Sequence, residues 1–502
     1  MESIKKFGDR LFGDGYSVLD GSTNSIAYKK NRRRAIFTRK CIRMPGILAI
    51  LLAITYLMFL LSTRESVREK TLVSSKHCDM PTPGRPLVQY VLMLDAGSTG
   101  SRIHVYKFNY CKTQPELEDE VFEETKPGLS SFDGDAEGAA ASLDKLMDTA
   151  LKNVPKHLYN CTPVSVKATA GLRLLGEAKS KAILQAIEAR LSSKYPFVIA
   201  KEETPVSVMD GRDEGVFAWI TVNYLLGLLG GAQVRTAGTL DLGGGSAQIV
   251  FEPLFGEKDS NTQEKHTGMH QGDHKHSFGY GEKSYDIYQN SYLGYGLMES
   301  RKKMLAHIAD STDISEGMKV SHPCFPKKFE KKVDSKKHRN EINIIGGANT
   351  TNGFETCLNV ARSILNVQKE CTIKPCAFDG VYQPNFEQTF AQNPFYVFSY
   401  FYDLLTPLGV SDQFKLSDIK NVAERVCRHD LDLFSDSKHK SAVESSDFYC
   451  LDLTYIYTLL KHGIGVSDQR DLKTTRKING IETGWCLGAS LALLNSHAYC
   501  KA

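Results

Sequence analysis

The chain has 502 residues, 41% hydrophobic and 24% charged, with a formal net charge of +4 at pH 7. That balance belongs to a globular protein and excludes a collagen-like, wholly disordered or multiply membrane-spanning chain; the length accommodates about two to four domains. The positive charge is concentrated, because Lys29, Lys30, Arg32, Arg33, Arg34, Arg39, Lys40 and Arg43 follow one another with no acid between them.

The first predicted element comes directly after this cluster. Residues 44–61 are apolar apart from Pro45, Gly46, Thr55 and Tyr56. About 18 apolar residues are just enough to cross a bilayer, and the basic cluster is expected to stay cytosolic. The expectation is a single signal anchor at 44–62 in type II orientation, with residues 1–43 as a cytosolic tail. Residues 63–86, polar and bearing Pro81, Pro83 and Pro86, read as a stem. A cleaved signal peptide fits less well, since Ser62-Thr63-Arg64-Glu65 offers no small-x-small cleavage site.

Residues 88–108 are predicted to form a β-hairpin. Residues 134–153 and 177–194 have helical spacing of Ala, Leu and Lys. Between them residues 164–170 read as a strand ended by Gly171, and residues 206–209 as a short strand. Residues 213–228 read as a helix whose apolar face is Val216, Trp219, Ile220, Tyr224 and Leu225. The alternation of strands and helices implies an α/β architecture. The polar stretches 256–283 and 325–341 read as exposed loops. His266, His270, His274 and His276 are expected to be solvated rather than a metal cluster. The run Lys327 to Lys337, broken by Glu330 and Asp334, is expected to be an exposed loop and not a nucleic-acid surface.

One design occurs twice. MLDAGSTGSRIHVYKF is headed by Asp95 and TLDLGGGSAQIVFEP by Asp241. Each is an apolar run, Asp-x-Gly, small residues, then a β-branched run, which reads as strand, tight turn, strand. A turn without bulky side chains lets backbone N–H groups converge on a phosphate, and an aspartate at the strand end can hold a divalent cation directly or through water. The repeat suggests a duplicated domain whose halves face each other across a polyphosphate and a metal.

Eleven of the twelve cysteines follow the apolar run, and none forms a C-x2-C pair. That favours disulfides in an oxidising lumen over zinc. Local spacing favours Cys324–Cys357 and Cys427–Cys450, then Cys371–Cys376 and Cys111–Cys161, and the odd number leaves one free or paired between chains. Asn160 and Asn349 head glycosylation sequons.

Five blocks carry a resemblance: DAGSTGSR (95–102), KATAGLRLL (167–175), DGRDEGVFAWITVNYLLG (210–227), DLGGGSAQIVFEP (241–253) and GWCLGASL (484–491). In this order they resemble the apyrase-like nucleoside phosphatase family, the ectonucleoside triphosphate diphosphohydrolases, over residues 87–500, and are most similar to its fungal Golgi members. The resemblance implies two ribonuclease-H-like lobes of the actin superfold, with the active site in the cleft between them: residues 87–205 with 476–502, and 206–475. It implies Glu214 as general base, with Asp213 as fallback. Gly97, Ser98, Thr99 and Gly100 would cradle the terminal phosphate, and Gly243, Gly244, Gly245 and Ser246 the inner one. Gln248 would help place the water, and Asp95, Asp241 and Thr169 would hold Ca2+, Mn2+ or Mg2+ largely through water. Arg102 could add charge to the first loop or turn into the lobe, and Arg173 reads as a structural ion pair. Ala247 stands where the family commonly has threonine. Trp485 and Gly484 either close the cleft or, for the tryptophan, fill the core. Tyr402, in FSYFYD with Asp403, is the expected base-stacking ring. The implied activity is hydrolysis of GDP, and of UDP, to the monophosphate and phosphate in the Golgi lumen, supporting glycosylation and nucleotide-sugar exchange, with a homodimer allowed. A broad apyrase acting on tri- and diphosphates is the alternative within the family. A sugar kinase or chaperone-type ATPase, and a noncatalytic nucleotide-binding module, are the alternatives outside it.

Overall fold

A computed structural model describes residues 50–63, 72–231, 234–255, 268–311, 319–347 and 352–501. The N-terminal residues and the body that begins at Leu72 are separate units. In the first, residues 50–63 are helical, and their large apolar side chains, Ile50 to Leu61, are exposed. Residues 44–49 of the expected anchor lie outside the described residues, as do the tail 1–43, His266 and Asn349. Among the described residues no helix is long and apolar enough to cross a membrane.

The body is built on two large sheets. In the first, β1 (Val88–Ala96) and β2 (Ser101–Asn109) pair antiparallel from Val88↔Asn109 to Ala96↔Ser101, as the hairpin pattern predicts. Strand β3 (Glu116–Thr125) adds to β2. Strand β4 (Pro163–Ala168) lies parallel to β1, and β5 (Val198–Ile199) and β6 (Val206–Val208) lie parallel to β4. In the second half, β7 (Gly238–Leu242) and β8 (Ser246–Phe251) form another antiparallel hairpin, extended by β10 (Lys283–Leu293) and β9 (Lys275–Tyr280). A small separate sheet joins β11 (Lys319–His322), β13 (Asn340–Gly346) and β12 (Glu330–Ser335). Strand β14 (Phe395–Ser399) returns parallel to β7, followed outward by β16 (Asp471–Lys473) and β15 (Gln413–Lys415). The orders β2-β1-β4 and β8-β7-β14 are the same motif: a hairpin whose first strand takes a parallel neighbour on its other side. The sequence repeat is thus a repeat of topology, and each Asp-x-Gly turn sits at the same place in its sheet.

Several boundaries differ from the sequence expectation. The strand at 164–170 ends at Ala168, and a helix, Ala170–Leu175, starts where two small residues and Leu172 pack inward. The helix expected at 213–228 is Gly211–Leu225; it begins earlier because the Asp210 side chain caps it by accepting from Arg212 N–H. Residues 134–153 split into Ala136–Ser142 and Asp144–Asn153 at Leu143. The stretches expected to be loops contain strands β9, β12 and β13. In β12 the lysines are exposed while Val333 and Ser335 turn inward, the charged-edge pattern that discourages pairing with another chain.

Three apolar clusters hold the body together. One lies under the first sheet and one under the second. The third joins the two: Val91, Met93, Tyr106 and Phe108 of β1 and β2 meet Val250, Tyr285 and Phe398 of the second sheet around Trp219 and Trp485. Trp219, on helix Gly211–Leu225, is fully buried and meets Tyr285 edge-on at 5.7 Å; truncating such a residue to alanine costs about 3–5 kcal/mol.

Disulfides link Cys324–Cys357, Cys371–Cys376 and Cys427–Cys450, as local spacing suggests. The expected Cys111–Cys161 bond does not form. Cys111 pairs with Cys78 and Cys161 with Cys500, because the chain's return brings Cys500 to the first sheet, where its N–H donates to Gln89 Oε1. The free thiol among the described residues is the buried Cys486.

Candidate active site

The two Asp-x-Gly turns meet. A β-carbon added at Gly244 would lie 2.5 Å from Ser98 Oγ, and one at Gly245 would lie 2.7 Å from the Ala170 β-carbon. A β-carbon at Gly245 would press on the start of the helix Ala170–Leu175, so this close approach of the second loop favours glycine there. Behind the second loop stands the helix Leu297–Ser311. Leu297 N–H donates to Gly243 O at 2.9 Å, Met298 N–H and Glu299 N–H to Gly244 O at 3.0 and 3.2 Å, and Gly294 N–H to Gly245 O at 2.7 Å. With these carbonyls turned to the helix, planar trans peptides turn the N–H groups of Gly244 and Gly245 the opposite way, where an anion can collect them. In the first loop, Thr169 N–H donates to Ala96 O at 3.2 Å, which ties β4 to the Asp95 turn.

The carboxylates converge behind the loops. Asp95 accepts from Arg102 Nη1 at 3.0 Å, and Arg102 also pairs with Glu124 at 3.0 Å. Asp95 Oδ1 and Asp241 Oδ1 are buried with no hydrogen-bond partner among the described residues. Asp241 is 8% exposed. Burial chiefly, then the Asp95 charge, pushes its carboxyl up to about 6, against the pull of a hydrogen bond from Ser399. Two buried, unpartnered carboxylate oxygens at the ends of β1 and β7 are the donor set a hard divalent cation takes, and they are costly without one. The residues present fit such an ion.

Glu214 is 8% exposed, in the first turn of helix Gly211–Leu225. Burial, foremost, pushes its carboxyl up to about 8, with Asp241 and Asp95 adding to the rise and Arg173 opposing it. Arg173 pairs directly with Glu214 Oε2, and its Nη2 lies 3.5 Å from Ser246 Oγ. Gln248 Nε2 donates to Ser246 Oγ at 2.6 Å, to Ser291 Oγ at 3.0 Å and to Glu214 Oε2 at 3.3 Å. Its Oε1 is buried and has no partner among the described residues. A base and an open acceptor side by side can bind one water molecule and remove its proton.

The structure therefore brings together Asp95, Ser98, Thr99, Thr169, Glu214, Asp241, Gly244, Gly245, Ser246 and Gln248. Thr169 is 7% exposed at the N-terminus of helix Ala170–Leu175, and its hydroxyl makes no capping bond. Gly97 and Gly100 lie in the first turn and Gly243 in the second. Asp213 faces elsewhere: the charges nearest it are Asp210, Arg212, His276 and Lys167. Tyr402 is half-buried and Asp403 exposed on the short helix Tyr400–Leu405; Arg476, Arg102, Glu124 and Lys126 surround Asp403. Trp485 is 4% exposed in the joining core. Gly484 has open space around it. Sequence reasoning did not single out Ser291, Ser399 or Tyr400; it read Arg173 as a structural ion pair, and the structure supplies Glu214 as the partner. Only Tyr400 carried a local signal, its place in the aromatic run.

The GDA1/CD39 (nucleoside phosphatase) family pattern matches residues 85–501. The guanosine-diphosphatase of Saccharomyces cerevisiae is 44% identical over 434 residues, covering 82% of this chain and 82% of that protein. The human nucleoside diphosphate phosphatase ENTPD5 is 37% identical over 421 residues, covering 81% and 88%. A nucleoside triphosphate hydrolase from Neospora caninum shares the fold, with a TM-score of 0.59 at 14% identity over 89% of this chain and 98% of that one. The chain belongs to the GDA1/CD39 (nucleoside phosphatase) family.

Proposed function

We propose that this chain is a divalent-cation-dependent nucleoside diphosphatase that hydrolyses GDP, and UDP, to the nucleoside monophosphate and phosphate. The observation that carries this reading is the placement of Glu214 and the open Gln248 acceptor beside two facing phosphate loops. The repeated β2-β1-β4 and β8-β7-β14 topology supports two ribonuclease-H-like lobes of the actin superfold, with the cleft between them as the site. The names of the relatives support diphosphates as substrates.

In this mechanism the loop N–H groups and the hydroxyls of Ser98, Thr99 and Ser246 bind the phosphate oxygens. Gln248 Oε1 accepts from the attacking water and holds it against Glu214. Glu214 takes the proton as the water oxygen bonds to the terminal phosphorus and the bridging P–O bond breaks. Arg173 steadies Glu214 in its ionised form. Ca2+, Mn2+ or Mg2+, held at Asp95, Asp241 and Thr169 largely through water, supplies neutralisation of phosphate charge. Tyr402 supplies the stacking surface for the base.

The apolar residues 44–62 behind a basic cluster support a type II anchor, and five disulfides support an oxidising lumen. We therefore place the protein in the Golgi membrane with its catalytic body in the lumen, where it would clear the diphosphate left by glycosyltransferases. The test is phosphate release by the purified chain from GDP, UDP, ADP and GTP with Ca2+ or Mn2+, with Glu214→Gln as control. Rapid release from GDP and UDP, little from ADP or GTP, and a fall of about 10³-fold in the variant is the expected result. Equal use of GTP would replace this reading with the general apyrase, and full activity of Glu214→Gln would remove Glu214 as base.

A further inference from the structure

Three residues of the second sheet stand in a row. Asp241 of β7 pairs with Gln248 of β8, and Gln248 pairs with Ser291 of β10. Residues directly opposite one another on neighbouring strands present their side chains on the same face. The row therefore runs from the carboxylate proposed to hold the cation, through the amide proposed to hold the water, to a serine with no part yet assigned. The Ser291 hydroxyl lies 3.0 Å from Gln248 Nε2 and makes no other hydrogen bond among the described residues. It also stands against the helix that carries Glu214. A β-carbon added at Gly211, the first residue of that helix, would strike both Ser291 Oγ and Arg173 Nη1. The bare backbone there makes room for the serine to reach Gln248.

The Gln248 amide nitrogen carries two protons and faces three oxygens: Ser246 Oγ at 2.6 Å, Ser291 Oγ at 3.0 Å and Glu214 Oε2 at 3.3 Å. The two hydroxyls are the nearer acceptors, one from β8 itself and one from the neighbouring strand. With the nitrogen held by them, Oε1 is left buried and without a partner among the described residues. Without Ser291 one N–H is released, and the acceptor that remains within reach is the Glu214 carboxylate. Turning toward it would swing Oε1 off the water and occupy a lone pair that the base needs for the proton.

We infer that Ser291 is a positioning residue: by accepting one amide N–H it holds Gln248 so that Oε1 stays open to the attacking water and Glu214 Oε2 stays free to take the proton. The inference rests on the parts proposed above for Gln248 and Glu214. Ser291 acts through Gln248 and not on the phosphate.

The test is a double-mutant cycle on phosphate release from GDP by the full chain with Mn2+. Ser291→Ala should lower kcat about five- to tenfold, the worth of one hydrogen bond. KM for GDP and the melting temperature should keep their wild-type values, because the contacts to the bound substrate remain. In a Gln248→Ala background the same substitution should cost nothing further, since no amide is left to hold. Wild-type kcat in Ser291→Ala overturns the inference. So does an equal fall in both backgrounds, which would make Ser291 act apart from Gln248. A fall in kcat that comes only with a lowered melting temperature also overturns it, since that makes the serine structural. Gln248→Ala alone tests the underlying reading: it should slow release about 10²-fold. Full activity in that variant would refute the water-holding role of Gln248 itself, whatever Ser291→Ala does.

Discussion

The two aspartate loops share a backbone plan and differ in what stands behind them. Asp95 is held by a guanidinium, Arg102, itself paired with Glu124. Asp241 has no paired cation among the described residues, and burial pushes its carboxyl up to about 6. The first loop is tied sideways to the end of β4 through Thr169 N–H, whereas the carbonyls of the second are gathered from behind by the helix that starts at Leu297. The two turns therefore share their place in the sheet while the charge support behind them differs. One half brings its own positive charge to its carboxylate; in the function proposed above, the other would depend more heavily on the cation.

The contact between the loops offers the sharpest way to break this symmetry. Gly245→Ala drives a β-carbon to 2.7 Å from that of Ala170. It should part the halves enough to lower phosphate release about 10²-fold, as an ångström-scale displacement of a reacting group does. The checks are steady-state kinetics and a melting curve that shows the fold intact. Arg102→Gln removes the charge paired with Asp95, and with it the weaker pull of that guanidinium on Asp241. The Mn2+ concentration giving half-maximal rate should rise about tenfold; an unchanged value would mean the first loop does not rely on its guanidinium.

Mild acid should distinguish the halves in stability. In the second, burial, then the nearby His307, lowers His322 to about 4, and its ring accepts the Cys324 N–H at 3.3 Å. A group protonated less readily in the fold than in the unfolded chain contributes stability above pH 6.5 and loses it as the pH falls toward 4; at pH 5 the loss is about 2 kcal/mol. In the first half, Asp144 is held well below the usual carboxylate range, by Arg190 first and with help from Lys194 and Tyr195. That stability is present above the ordinary aspartate pKa and is lost only in stronger acid. Hydrogen exchange at pH 5 should thus lose protection around residues 319–347 before 88–208, and His322→Gln should remove the difference. The smallest effect is expected at Gly243, where an added β-carbon meets nothing closer than Ser246 O at 3.5 Å. Gly243→Ala should change stability by no more than about 0.5 kcal/mol in a thermal melt, and a large loss would show that this turn needs glycine throughout.

What the sequence disclosed follows from the same contrast. Asp95, Asp241 and their glycines are written in contiguous residues, since a turn that cradles phosphate is a local object. Glu214 and Gln248 became recognisable through blocks that keep fixed spacing. Ser291 and the identity of Arg173's ion-pair partner, Glu214, were not, because each contact is made by strands or helices far apart in the chain. The lysine-rich run around β12 misled for a related reason: an edge strand that carries charge toward solvent has the composition of a loop.

The bond from Cys161 to Cys500 spans 339 residues, which sets a timetable. At about 5–20 residues per second of synthesis, Cys161 waits for some tens of seconds before its partner exists. In the lumenal placement proposed above, Cys111 is throughout that interval the neighbour that spacing offers it, and the bond between them is the one the native fold lacks. Early closure of Cys78 with Cys111, only 33 residues apart, takes that competitor out of play. The order in which thiols emerge thus guards the first sheet until the end of the chain arrives to complete it.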